Sequence, residues 1–396
     1  MHIQTIETFV LKVPLGAERF YSSQAAFGER TCLLVRLTTN DGLQGWGECG
    51  VSMPVEHVAT YIHDVLAQRV LGRNPLQTEP LWNELYCFSR DFGRAATPID
   101  AMSGIDVALW DIKGKEAGKP VYNLIGGAFR DHVRSYATGL YYRGDDVNNI
   151  ESAVALLRDE AQRYLDMGFT AIKGKVGLLS VRDDIRRMEA VRDVVGPDFL
   201  LMVDANHAYN RHTARRIGEA LSALDFFWFE EPIVPEDIQG CAELRRSLKV
   251  PIATGETEYT RFGFLRLLQA DAADILQPDI SACGGISEGL KIYALASAYN
   301  TPLCLHVWGS GVAFAAALQL AAIMAPTPFT CFPRTPENDV MFEYDRNPNP
   351  LRDELLVQNF KLDGESLRIP NAPGLGIDIN EKVLARYTVA KRQSSQ

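Results

Sequence analysis

Four acidic motifs recur at a nearly even interval in the middle of the chain. They are LLMVDAN with Asp204, FFWFEEP with Glu230, IATGE with Glu256 and ILQPD with Asp279, spaced by 26, 26 and 23 residues. Each acid closes a run of mostly apolar residues and precedes a polar or Gly/Pro-containing turn. The pattern predicts a carboxylate at the C-terminal tip of a buried parallel strand, once per βα unit. Neighbouring acids at one rim repel strongly unless a cation sits among them. Asp204, Glu230 and Glu256 come from three consecutive strands and offer only hard oxygen donors. That set suits Mg²⁺, with Mn²⁺ able to replace it and Zn²⁺ disfavoured.

Proton chemistry is expected on either side. The preceding strand closes in Lys173-Gly174-Lys175. Residues i and i+2 of a strand share a face, so both ammonium groups should point into one mouth. A like charge and a nearby cation lower a lysine pKa, as a lysine base requires. Asp279 and His306 end the sixth and seventh strands, adjacent enough for the aspartate to orient and charge the imidazole. A metal with a lysine on one side and a His–Asp pair on the other suits removal of a proton α to a carboxylate. Electrostatic stabilisation must then carry most of the barrier.

Positioning these groups needs a regular scaffold. From Val133 onward, strand-like and amphipathic helical runs alternate. Candidate strands are 133–139, 170–176, 199–205, 226–231, 250–256, 273–279, 301–307 and PFTCF at 328–332. That count and rhythm predict an α/β chain with a (β/α)₈ TIM-type barrel whose site lies at the C-terminal strand ends. No Gly-rich phosphate turn follows an early strand, which argues against a doubly wound sheet.

Ahead of the barrel, residues 3–13, 30–39 and 42–50 predict an antiparallel sheet, and helical periodicity follows over 54–70, 75–89 and 98–117. Thr97 is the candidate N-cap of the last helix, with Pro98 in its first turn. Asp106 and Asp111 on that helix are expected to bond backbone or basic partners at a domain interface rather than to act in catalysis. The domain organisation is thus an N-terminal α+β capping domain over 1–125 with a lid loop at 15–29, a barrel over 126–350, and a segment 351–396 returning to the cap. Its last residues, 391–396, are expected to be disordered.

Bulk properties exclude several classes. Net charge is −10, which argues against a nucleic-acid partner. With 46 % hydrophobic and 23 % charged residues, the composition is that of a soluble globular protein. The longest apolar stretch, Val312 to Ala325, is too short to span a membrane. The seven cysteines contain no CxxC and read as reduced thiols of a cytoplasmic protein; no signal peptide is visible at the N-terminus. The partner expected is a small-molecule carboxylate, with a homo-oligomer as the assembly.

Taken together, GLQGWGE, SGIDVALWDIKGK, GKPVYNLIGG, KGK, VDAN, FEEP, TGE, QPD and LHVW occur in an order that resembles the enolase superfamily and, within it, the mandelate racemase subgroup. Each motif alone is weak; their order and spacing are specific and cover nearly the whole chain. The resemblance implies metal ligation by Asp204, Glu230 and Glu256, and Lys175 as base with Lys173 steadying the substrate carboxylate. It makes the His306–Asp279 dyad the second acid or base. It implies that Glu343, in FEYD, donates a hydrogen bond to that carboxylate and that Asn206 lies near the substrate. The muconate-lactonising and dipeptide-epimerase branch carries a lysine where this chain has Asp279. A finer likeness is to the galactarolactone cycloisomerase and aldarate dehydratase group, which implies Trp308 as a lining residue. It makes the aromatic-dotted loop 15–29, with Phe20, Tyr21 and Phe27, the specificity lid. The implied activity is Mg²⁺-dependent α-proton abstraction from an acid sugar or its lactone, via an enediolate, followed by β-elimination. The alternatives are a racemase or epimerase of a 2-hydroxy carboxylate, and a non-catalytic binding protein on a degenerate barrel. A metal-dependent hydrolase would want an HxH on the first barrel strand, and VRSYATG has none.

Overall fold

The computed structural model describes residues 1–50, 54–144, 148–330, 335 and 338–396. An antiparallel sheet opens the chain: β1 (Ile3–Pro14), β4 (Glu29–Thr39) and β5 (Gln44–Cys49), with the two short strands β2 (Phe20–Tyr21) and β3 (Ala26–Phe27) forming a hairpin between the first two. The helix Thr97–Glu116 lies on this sheet so closely that a Cβ on Gly47 would meet the Gly104 carbonyl oxygen at 1.9 Å, so only glycine fits. Thr97 is the first helical residue here, one position inside the cap that the sequence suggests.

Parallel strands β6 (His132–Thr138), β7 (Ala171–Lys175), β8 (Leu200–Asp204), β9 (Trp228–Glu230), β10 (Ile252–Thr254) and β11 (Ile275–Leu276) pair in sequence order. The seventh position is held by parallel bridges from Leu276 to Leu303 and from Asp279 to His306. The eighth strand, β12 (Met341–Asp345), pairs parallel with β6 and so returns the sheet to its first strand. Side-chain caps start several barrel helices: Asn149, Ser180, Asn210, Asp237 and Ser310 each accept from a backbone N–H two or three residues on. Each such cap stabilises its helix by about 1 kcal/mol.

One buried side chain from every barrel strand meets in the interior: Tyr136, Ala171, Met202, Trp228, Ala253, Ile275, Cys304 and Met341. This apolar ring is the floor of the mouth. Two residues further along the same faces stand Thr138, Lys173, Asp204, Glu230, Gln277, His306 and Glu343, because the side-chain period of a strand is two.

Two expectations are corrected. The eighth strand is Met341–Asp345, not PFTCF: residues 328–330 carry no strand, and Pro326 and Pro328 supply no N–H to a central ladder. (Phe332, with Cys331, lies outside the described residues.) The C-terminal tail is not disordered. Thr388–Ser395 forms β15, paired antiparallel with β1 from Leu11↔Thr388 to Thr5↔Ser395, which satisfies the otherwise open edge of the cap sheet. The strands β13 (Leu362–Asp363) and β14 (Ser366–Arg368) instead join β6, so the segment after residue 351 serves the barrel before it reaches the cap.

Buried carboxylates tie the cap to the barrel. Glu48 accepts from the N–H groups of Ser310 and Ala313 at 2.9 Å each. Asp106 accepts from Ser287 N at 2.9 Å and Ser287 Oγ at 2.6 Å. Asp111 accepts from Trp46 N and Leu375 N and pairs with Lys115. These are structural roles, as expected for Asp106 and Asp111. Of the described cysteines, Cys87 is exposed and five are buried, and none is bonded to another. No described helix is long and apolar enough to cross a membrane.

Candidate active site

Three of the strand-tip acids converge. Asp204, Glu230 and Glu256 bring one carboxylate oxygen each within 4.8 Å of one another, the one such group of potential metal ligands found among the described residues. Glu230 is fully buried, and burial together with Asp204, Glu256 and Glu343 lifts its carboxyl to about 7 against the pull of Lys173. Such mutual repulsion among hard oxygen donors is what a divalent cation relieves, so the set fits one. Gln277 Nε2 and Trp228 Nε1 donate to Glu230 Oε2 at 2.7 and 3.0 Å and fix its orientation. Neither was anticipated, although Gln277 lies two residues before Asp279 and shares its strand face.

The lysine pair splits into two roles. Lys175 pairs with Asp204, and its Nζ also donates to Asn206 Oδ1 at 2.9 Å. Lys173 is 1 % exposed, lies 2.6 Å from Glu230 and 2.9 Å from Glu343, and does not line the cavity. Desolvation works against the charge on both, but carboxylates outweigh it: Asp204 foremost for Lys175, Glu230 and Glu343 for Lys173. Both pKa values are therefore raised, opposite to the expectation of a lowered one, because each ammonium has a carboxylate closer than its fellow lysine. Asp204 is held down correspondingly, by Lys175 and Lys173 against burial.

His306 and Asp279 meet as expected, with Nδ1 2.7 Å from Oδ2. The other ring nitrogen is 3.4 Å from Glu256. Burial disfavours the charged ring, yet Glu256, Asp279 and Glu343 raise it to about 10. Glu343 accepts from Thr138 Oγ1 at 2.6 Å and Val307 N at 2.9 Å and lies 2.9 Å from Lys173 Nζ. Despite burial, Lys173 and His306 hold its carboxyl well below the usual range, as suits a buried counter-charge to Lys173.

Lys175 and His306 line one cavity of about 360 Å³, a size for a small metabolite. A chain of short contacts spans it: Lys175 to Asn206 at 2.9 Å, Asn206 Nδ2 to Glu256 at 3.4 Å, and Glu256 to His306 at 3.4 Å. Trp308, Phe27 and Tyr141 form an aromatic wall, with Phe20 packed behind it. Tyr21 does not line the cavity. It follows Phe20 in a strand, so its side chain takes the opposite face, and its backbone pairs with Tyr142. The loop 15–29 instead presents Ser22, Gln24, Ala25 and Phe27, and Ser23 Oγ donates to Ala205 O at 2.6 Å, next to Asp204. Asp100, His207, Thr257 and Tyr259 complete the polar lining. Sequence reading missed these; His207 and Thr257 follow strand-tip acids and were discoverable from that position.

Residues 5–126 match the family described as mandelate racemase / muconate lactonizing enzyme, N-terminal domain, and residues 156–383 match enolase C-terminal domain-like proteins. The D-galactarolactone cycloisomerase of Agrobacterium fabrum is 40 % identical over 98 % of this chain and 99 % of its own. The arabinonate dehydratase of Saccharolobus solfataricus is 37 % identical over 89 % of each chain. A racemase from Streptomyces coelicolor, solved with bound magnesium, superposes with a TM-score of 0.85 at 29 % identity, over 98 % of this chain and 100 % of that one.

Proposed function

Because the chain belongs to the enolase superfamily and, within it, to the mandelate racemase-like enzymes, we propose that it removes the proton α to the carboxylate of an acid sugar or its lactone and then expels the β-oxygen. The observation that carries this reading is the contact chain from Lys175 through Asn206 and Glu256 to His306 along one cavity wall. It supports the reading because a base at Lys175, a ligand carboxylate at Glu256 and an acid at His306 would then lie within reach of one small substrate.

Asp204, Glu230 and Glu256 would hold Mg²⁺, or Mn²⁺ in its place. When bound, the cation supplies electrostatic stabilisation to the substrate carboxylate as negative charge develops on it. In its neutral form the Lys175 amine would take the α-proton, with Asn206 fixing its direction through Oδ1. Lys173, paired with Glu230 and Glu343, would hold those two carboxylates in place from outside the cavity lining. Asp279 keeps the His306 Nδ1–H in place, so Nε2 is the nitrogen that delivers a proton to the departing oxygen. With a β-hydroxyl leaving group the product is an enol that becomes a 2-keto acid. With a lactone oxygen at the β-position, the ring opens by the same elimination and the leaving group is a carboxylate. A cytoplasmic homo-oligomer belongs to the same proposal.

The test is a panel of aldonates, aldarates and aldarolactones incubated with the protein and Mg²⁺. Formation of a 2-keto acid or an unsaturated ring-opened acid is expected with at least one member. Loss of optical rotation with no such product from any member would instead assign racemisation or epimerisation. Absence of any change, including α-hydrogen exchange in D₂O, would overturn the catalytic reading.

A further inference from the structure

A buried arginine lies behind the aromatic wall of the cavity. Arg30 is the second residue of β4, directly after the loop 15–29, and its side chain crosses from the cap to the barrel. Its Nη2 donates to Asp345 Oδ2 at 2.6 Å and its Nε to Pro348 O at 2.8 Å, at and just beyond the end of β12. Asp345 is fixed in turn, because the N–H and the side-chain amide of Asn347 donate to its other oxygen at 3.0 and 2.8 Å. Two bonds along one edge hold the guanidinium, which leaves its flat faces for rings. Its central carbon lies 4.4 Å from the Trp308 ring centroid and 5.0 Å from that of Phe20.

Trp308 borders two spaces. One is the catalytic cavity; the other, of about 70 Å³, is lined by Arg30, Thr31, Gly309 and Asn349 together with Phe27. Arg30 lines the second and not the first, so it acts on the cavity through the indole ring. Trp308 stands two residues after His306, beyond the bridge that holds the seventh strand position. Phe20 belongs to the hairpin that carries Phe27 and stacks on that ring at 4.9 Å. One guanidinium is thus packed against a ring beside the histidine and a ring of the loop.

We propose that Arg30 is a positioning residue for the substrate: it sets Trp308 against the cavity and registers the loop hairpin on that ring. The inference rests on the acid-sugar reading above for what fills the cavity and adds a residue to it. An ion pair between cap and barrel would need only a charge. Stacking needs a plane as well, which arginine has and lysine lacks. A cation over an indole face is most favourable where both are desolvated, as Arg30 is. The ring so held offers an apolar face to the carbon-bound hydrogens of a sugar acid.

The experiment exploits a difference in exposure. Trp46, Trp82, Trp110 and Trp228 are buried, whereas Trp308 is partly exposed. Fluorescence that acrylamide quenches is therefore that of Trp308, and Trp308→Phe should remove it. In Arg30→Lys the quenching constant should rise about threefold. KM for the aldonate or lactone turned over should rise about fivefold, with kcat falling by less than about threefold. In a Trp308→Phe background the same change at Arg30 should move KM by less than about twofold, since the two residues act as one unit. Arg30→Gln with Asp345→Asn removes both charges together, while Arg352 keeps its pair with Asp353. That double variant should show the same rise in quenching, and it keeps the test open should Arg30→Lys not fold. Unchanged quenching in both variants, or a full KM rise in the Trp308→Phe background, overturns the inference even where turnover is normal. Raised quenching beside a wild type that neither turns over nor exchanges a proton of any acid sugar supports the placement of Trp308 and overturns the elimination chemistry.

Discussion

His306 stands between two carboxylates, with Nδ1 2.7 Å from Asp279 and Nε2 3.4 Å from Glu256. The two partners differ in function. Asp279 comes from the neighbouring strand and is itself fixed by Ser281, whose N–H and hydroxyl both donate to Oδ1. It therefore orients the ring, while Glu256 faces the nitrogen that would meet a substrate. His306→Asn should lower turnover by roughly 10³-fold, within the range of general acid–base contributions. Asp279→Asn should lower it about 10²-fold by releasing the ring. Calorimetric Mg²⁺ binding should be nearly unchanged in both variants, since neither residue is among the three converging carboxylates proposed to hold the cation. Wild-type turnover in Asp279→Asn would remove the orienting role.

Glu230 has the most crowded environment of the three acids. Lys173, Gln277 and Trp228 already contact its carboxylate, and its raised pKa reflects burial among other acids. Glu230→Gln relieves that repulsion but removes a charged ligand. The variant should stay folded, bind Mg²⁺ at least tenfold more weakly and lose activity. A ligand at one hundred times its Kd stabilises the native state by about 2.7 kcal/mol and at ten times its Kd by about 1.4 kcal/mol, so at a Mg²⁺ concentration one hundred times the wild-type Kd the Mg²⁺-induced rise in Tm should fall to about half or less in the variant. A Tm that still climbs with Mg²⁺ as in the wild type would reject Glu230 as a ligand.

The site was legible where one strand face carried it. The interior ring of Tyr136, Ala171, Met202 and their counterparts is followed two residues later by Lys173, Asp204, Glu230, His306 and Glu343, and four later by Lys175 and Asp279, a period-two signal that needs no tertiary knowledge. Glu256, three residues after Ala253, falls outside it. What failed depended on pairings far apart in the chain. PFTCF reads as the eighth strand, and only the ladder from Met341↔Arg134 to Asp345↔Thr138 shows that MFEYD holds that place. Likewise the tail is polar, and its order comes from the edge of β1 some 380 residues earlier. The direction of the lysine shifts could not be seen either, because it turns on which carboxylate is nearer than the neighbouring ammonium. Tyr21 was misplaced for a local reason: the phase of a two-residue strand is set by its hairpin partner.

Asp106 gives a stability prediction with a definite sign. It is fully buried, and burial raises its pKa from 3.8 to about 7 although Ser287 N–H and hydroxyl donate to it. The folded state thus holds a proton that the unfolded state releases near pH 4. Its contribution is fully present below that pH and is lost as pH rises toward 7. Between pH 5 and 8 the loss amounts to at most roughly 2–3 kcal/mol, at 1.36 kcal/mol per pKa unit. In Asp106→Asn the urea-derived stability should fall less over that interval than in the wild type. Parallel slopes for the two proteins would show that Asp106 does not titrate there.

The loop 15–29 is held over the cavity by the Ser23 hydroxyl and an aromatic cluster, and these separate binding from chemistry. Ser23 Oγ donates to Ala205 O, next to Asp204, and β2 pairs through Tyr21 with Tyr142. Phe20 and Phe27 pack against Tyr141 and Trp308. Ser23→Ala removes one neutral hydrogen bond, a change of about 1 kcal/mol, which is close to a fivefold effect. None of the groups that move protons is altered. The expected result is a several-fold rise in KM with kcat within about twofold of wild type, because the lid closes less often over bound substrate. Trp308→Ala opens the aromatic wall itself and should raise KM more, by tenfold or beyond, with the Mg²⁺ affinity unaffected. Should Ser23→Ala lower kcat and leave KM alone, the hairpin would be setting the geometry of Asp204 and Asn206 through the Ala205 carbonyl rather than retaining the substrate.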